Sequence, residues 1–325
     1  MSESVTIDGR AHSSALASHI EGLVRSKRAF GYDYSGVAYH LWRLDGFCAE
    51  SGFDGDAVTA PLAAAWAEAV PGEGGSSKVS RVSALRQLAL HERAMGLDAY
   101  VPGSLPSAGR PAVYLPTRGE TAALFDAIDS YAGRRPWWIS RGYGVAFRLM
   151  RLCGLRISEC ADMPVGCVDA GAGTLRVLAS KGDKDRLVYM SDPLAEMVGR
   201  WLAELREGIG ADVRWLFPGA KPARHIDKST FDSAFRRLWS EATKGSAPGR
   251  SKAPTPHSLR HAFVTDRLTL WARQGVNIDQ MMPYLTRYLG HVGTDESLYY
   301  YHLAEEALDA VRGSGDNIPE AVPYG

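Results

Sequence analysis

Residues 150–190 read MRLCGLRISECADMPVGCVDAGAGTLRVLASKGDKDRLVYM, and two periodicities meet inside them. Up to Cys153 the apolar residues recur at helical spacing, continuing a run that starts near Ser140; Gly154 can end a helix, and Arg156-Ile157-Ser158-Glu159 restarts one. From Thr174 the period drops to two. Residues 174–178 and 186–190 flank the charged run Ser180-Lys181-Gly182-Asp183-Lys184-Asp185, which predicts a β-hairpin with a charged tip. A small antiparallel sheet among helices is therefore expected, an α+β class that is mainly α.

Outward from this stretch the chain reads as helices. Apolar residues recur at helical spacing over 12–30, 34–52, 58–70 and 76–95, and again over about 192–207, 229–242, 257–274, 279–289 and 295–311. The 76–95 segment sets Val79, Val82, Leu85, Leu88 and Leu90 against Lys78, Arg81 and Arg86. Thr117 with Glu120 three residues on has the capping-box spacing. Between 97 and 115 the text turns to Pro, Gly and Ser (Pro102, Pro106, Gly109, Pro111), as an interdomain linker does. The expected organisation is a helical unit over 1–105, a linker at 106–116, a second domain over 117–302 and a tail at 303–325.

A chain of 325 residues with 45% apolar and 23% charged side chains can bury two cores, which excludes intrinsic disorder and a disulfide-stapled miniprotein. The four cysteines, Cys48, Cys153, Cys160 and Cys167, form no CxxC pair and read as reduced, buried thiols of a cytoplasmic protein. The first twenty residues carry Glu3, Asp8 and Arg10 without an apolar run, and no stretch nears eighteen apolar residues, so neither a signal peptide nor a membrane span is expected. Net charge is zero, but unevenly spread. Residues 1–105 hold 9 basic and 12 acidic side chains, 106–302 hold 27 and 20, and 303–325 hold 1 and 5. The basic middle suits a polyanion.

No P-loop, GxGxxG, HExxH or GxSxG motif occurs, so nucleotide hydrolysis by a P-loop, dinucleotide binding and the common metal-hydrolase signatures get no support. What remains is a polar inventory: Arg156 after the helix break, Lys181 on the hairpin tip with Lys184 as its competitor, His257 and Arg260 three apart, His291 after Leu289-Gly290, and Tyr300 between Tyr299 and Tyr301. Guanidiniums that stay charged can grip phosphate oxygens, a lysine can protonate a leaving alkoxide, imidazoles can shuttle protons, and a tyrosine can serve as nucleophile. His257 and Arg260 would share one helix face. Fixed cations of this kind can carry phosphoryl transfer without a metal or other cofactor.

In this order Gly154-Leu155-Arg156-Ile157-Ser158-Glu159, Lys181, His257-x-x-Arg260, Leu289-Gly290-His291 and a Tyr-x-His nine residues past that histidine resemble the tyrosine recombinase, or phage integrase, family. The resemblance covers the second domain, and the N-terminal unit resembles the family's SAM-like core-binding domain. Residues 24–32 and the Tyr299-Tyr300-Tyr301-His302 run further resemble transposase-type members encoded with other recombinases. The resemblance implies roles: Arg156 and Arg260 clamp the scissile phosphate, Lys181 protonates the 5′-oxygen, and His257 accepts and donates protons. His291 then bonds the phosphate, Glu159 supports the active-site histidine, and Tyr300 attacks to give a 3′-phosphotyrosine.

The same resemblance implies double-stranded DNA as partner, a homodimer on DNA, a tetramer at synapsis, docking of the tail on a neighbouring protomer, and partner recombinases or DNA-bending proteins. Location would be cytoplasmic, at the nucleoid when DNA-bound. Arg25, Lys27 and Arg28 on the first helix and Lys78, Arg81 and Arg86 on the fourth are the candidate phosphate contacts. The expected reaction is integration or transposition of a mobile element. The rivals are DNA relaxation of the type IB topoisomerase kind and a catalytically silent DNA-binding accessory protein.

Overall fold

The computed structural model describes residues 5–68, 70–106, 114–133, 136–180, 184–244 and 254–290. The chain separates into two compact units, Met1–Pro111 and Ala112–Gly325, each with its own hydrophobic core. The class is the expected one, mainly helical with small antiparallel sheets.

The first unit opens with a hairpin, β1 (Val5–Ile7) and β2 (Arg10–His12), that the helical reading of 12–30 overlooked. Asp8 and Gly9 both take positive φ, as a two-residue hairpin turn requires, and Asp-Gly is the residue pair that supplies it. The first helix, α1 (Ala17–Ala29), starts later than its apolar spacing suggests. The buried Asp45 carboxylate accepts bonds from the Ser13 and Ser14 amides and the Ser14 hydroxyl, which holds the preceding residues in a turn. α2 (Ser35–Glu50), α3 (Ala60–Glu68) and α4 (Gly75–Ala94) follow, packing around Leu41, Leu44, Leu85 and Leu88. α4 departs from its expected polarity: Leu90 is exposed, while Arg81 and Glu92 are buried on the core face. The Pro/Gly-rich stretch also belongs to this unit as far as Pro102, since Tyr100 donates its amide to Val58 O at 2.7 Å and Ala99 is buried.

In the second unit α5 (Arg118–Asp129) begins with the predicted capping box at Thr117. α6 (Trp137–Cys153) runs through the core, with Tyr143, Phe147 and Met150 buried against Phe217, Phe231 and Phe235. It stops at Gly154, whose φ of 67° is left-handed and whose missing Cβ would lie 2.6 Å from the Phe263 ring. α7 (Ile157–Ala161) restarts immediately. Then come β3 (Val168–Asp169), β4 (Thr174–Ser180) and β5 (Lys184–Tyr189), a three-stranded antiparallel sheet in that order. β3, two residues long, carries too little pattern to be read from sequence. α8 (Asp192–Gly208), α9 (Lys228–Ala242), α10 (Pro256–Arg273) and α11 (Ile278–Leu289) complete the described residues. α11 ends like α6, at a left-handed glycine, Gly290. Among the described residues all four cysteines are free and buried, and no helix is long and apolar enough to cross a membrane.

Candidate active site

Three chain segments that are distant in sequence meet at Glu159. The carboxylate sits in the first turn of α7, and its Oε2 reaches back to the Arg156 amide at 2.7 Å, capping the helix. Oε1 accepts from Arg156 Nη1 at 2.9 Å. Arg186 on β5 forks onto both oxygens, Nη1 to Oε1 at 2.9 Å and Nη2 to Oε2 at 2.7 Å. Arg260 Nη1 on α10 stands 3.9 Å from Oε2. Burial alone would push the Glu159 carboxyl up, but the bonds and charge of Arg186, the Arg156 amide and the charge of Arg260 outweigh it and bring it down to about 2. Glu159 therefore stays an anion well below the ordinary carboxylate range.

The two predicted clamp arginines are held at helix ends. Arg260 is fully buried, donating from Nη1 to Gly154 O at 2.6 Å and from Nη2 to Leu289 O at 2.8 Å. Arg156 donates from Nη2 to Gly290 O at 3.0 Å and keeps part of its side chain exposed. The C-terminal carbonyls of α6 and α11 carry negative partial charge and lack partners within their helices, so guanidiniums are favoured there. The two glycines that end these helices turn the carbonyls toward the arginines. His257, in the first turn of α10, is exposed, its ring meeting His261 edge-on with centroids 4.4 Å apart. Arg156, Glu159, Arg260 and the start of α10 are thus brought together. Lys181, His291, Tyr300 and the tail at 303–325 lie outside the described residues.

Arg186 is the member of the cluster that the motifs did not single out. Its signal was present: counting by two from the buried Val188 and Met190 places Arg186 on the inward face of its strand. A charge at a core position of a predicted strand needs a buried partner.

Among the proposed DNA contacts, Arg81 is corrected. It is buried, pairs with Glu73 at 2.7 Å, donates to Trp66 O and lies over the Trp66 ring at 4.6 Å, so it faces the core and not solvent. It reads as outward only if every charge on an amphipathic helix is assigned to the wet face. Arg86 donates to Pro102 O and is half-buried. Arg25 pairs with Glu21 and Arg28 with Asp8 at 2.7 Å, both on the surface; Lys27 and Lys78 are half-buried.

A family profile described as the phage integrase family matches residues 138–307. The tyrosine recombinase XerC of Rhodospirillum centenum is 32% identical over 248 residues, covering 74% of this chain and 69% of that one. Among solved structures, the site-specific recombinase XerH in a post-cleavage complex with its palindromic difH substrate superposes with a TM-score of 0.63 at 17% identity, over 87% of this chain and 79% of that one. A lambda integrase from a tetramer bound to a Holliday junction gives 0.59 at 16%, over 88% and 76%. With the family profile spanning more than half of the chain and a relative of this identity matching most of its length, the chain belongs to the phage integrase family, the tyrosine recombinases.

Proposed function

We propose that this tyrosine recombinase cuts and rejoins double-stranded DNA by site-specific strand exchange, with Tyr300 as nucleophile. The tyrosine oxygen bonds to the scissile phosphorus as the bond to the 5′-oxygen breaks. His257 takes the phenolic proton, and Lys181 delivers a proton to the leaving 5′-alkoxide. Attack of another strand's 5′-hydroxyl on the 3′-phosphotyrosine reverses these transfers and releases Tyr300, so one phosphodiester is exchanged for another without ATP. Arg156 and Arg260 hold the non-bridging oxygens, His291 bonds the phosphate, and Glu159 fixes the charged cradle. The observation that carries this reading is the convergence of Arg156 and Arg260 on the ends of α6 and α11 around a saturated carboxylate. Two cations held in place by helix-end carbonyls and, for Arg156, by the Glu159 carboxylate form a preorganised anion site.

A dimer on DNA and a tetramer at synapsis are the assemblies proposed, supported by the tetrameric state of the lambda integrase neighbour. The biological outcome proposed is integration or transposition of a mobile element, with the protein acting on cytoplasmic DNA at the nucleoid. The test is covalent trapping on nicked duplexes, followed by peptide mapping. The expected adduct lies on Tyr300 and is lost in Tyr300→Phe while DNA binding persists. An adduct that survives Tyr300→Phe overturns the nucleophile.

A further inference from the structure

Along β5 the exposed residues Leu187 and Tyr189 alternate with the buried Val188 and Met190, and Arg186 takes the next inward position. A guanidinium there loses water, a cost that only well-formed bonds offset. It meets Glu159 with both arms, and the two side chains are 9% and 8% exposed. Because Arg156 binds the same carboxylate through both its amide and its Nη1, fixing the carboxylate plane fixes the Arg156 guanidinium.

The strand is pinned again one turn of the pleat further on. Cys153 Sγ donates to Tyr189 O at 3.5 Å, and α11, which carries the half-buried Tyr288, packs against the same strand. Pairing of β4 with β5 is regular as far as Val177 opposite Arg186, shifts register, and resumes with Ser180 opposite Lys184. Arg186 therefore closes the regular ladder just before the hairpin tip where Lys181 stands in sequence.

We propose that Arg186 is a positioning residue for phosphoryl transfer: its two bonds to Glu159 orient Arg156 and preserve the charge balance beside Arg260. The catalytic part rests on the function proposed above; the hold on Glu159 does not. Charge alone would be a different explanation. A lysine keeps the charge but cannot fork onto both oxygens.

The experiment uses the full chain and two readouts. The first is the carboxyl carbon-13 resonance of Glu159, assigned by its loss in Glu159→Gln, followed as pH is lowered to the acid limit of folding. The groups facing this carboxylate are Arg156 at the N-cap of α7, Arg260 from α10 and Arg186 from β5, with the Cys160 thiol nearby. The second is the rate of adduct formation at saturating DNA, on a nicked duplex selected from a randomised pool by trapping on the unaltered chain. Arg186→Met is expected to raise the Glu159 titration toward the ordinary carboxylate range. It should also slow trapping about 10–100-fold with little change in half-saturating DNA, as loss of an outer partner to a ligating side chain does. Arg186→Lys is expected to keep Glu159 low yet remain about tenfold slow, and it carries the kinetic test if the methionine variant fails to fold. An unaltered rate in Arg186→Lys, or a Met variant with an unmoved titration or an unmoved rate, overturns the proposal. If the unaltered chain traps no duplex, the proposed function fails, and the titration alone decides whether Arg186 holds Glu159.

Discussion

Glu159 accepts four hydrogen bonds on two oxygens, all the lone-pair directions a carboxylate has, so its charge and orientation are both committed. The pH dependence follows in sign. Because the folded state holds this carboxyl at about 2 against an ordinary 4.5, it adds stability that is fully present above the ordinary value and is lost as pH falls through the folded one. Over that window the loss amounts to about 3 kcal/mol. Glu159→Gln is expected to lower stability at pH 7 by about 3–5 kcal/mol, since three guanidiniums lose their common anion. Its disadvantage should shrink as the unaltered chain is taken from pH 4.5 toward 2. Urea midpoints measured for both proteins across this range check it; parallel curves would contradict the assignment. Arg156, Glu159 and Arg260 could be named from sequence because motif spacing announces them, whereas Arg186 is separated from Glu159 by the whole sheet, and only the fold closes that distance.

At the scale of elements, long helices were legible because each repeats its apolar period several times and is stopped by a glycine or proline. Gly154 and Gly290 are the clearest cases, as only a residue without Cβ takes a left-handed φ cheaply. β1 and β2 were not legible, because three residues are too few for alternation to show and the informative signal lay in the Asp8-Gly9 turn. α4 differs in another way: Val82, Leu85 and Leu88 are buried as read, but Leu90 is exposed, and Arg81 and Glu92 share the buried face with partners of their own. The burial of Arg81 has a measurable consequence. Arg81→Ala should cost about 3–5 kcal/mol by leaving Glu73 without its buried partner, and should leave the salt dependence of DNA binding unchanged. Thermal unfolding reads the first and anisotropy titrations over a salt series read the second. A stable variant with a shallower salt slope would restore Arg81 as a phosphate contact.

For the whole molecule, the distribution of charge matters more than its zero sum. Residues 106–302 carry 27 basic and 20 acidic side chains, whereas 1–105 carry 9 and 12, so any phosphate contact in the first unit must come from a local group of cations. Structure narrows that group: Arg81 is buried and Arg86 is tied to Pro102, which leaves Arg25, Lys27, Arg28 and Lys78. Each phosphate neutralised on duplex DNA contributes about −0.9 to the slope of log affinity against log salt. Neutralising all four by substitution with glutamine should therefore make the slope of the full chain shallower by no more than about 3.6. The pairs Arg25–Glu21 and Arg28–Asp8 reduce the expected change further, because each arginine already neutralises a carboxylate in the free protein. A slope that does not move would exclude these four side chains as phosphate contacts. A change larger than the four cations can supply would mean that the substitutions also disturb contacts made elsewhere, and single replacements on the same duplex would then separate direct contacts from that disturbance.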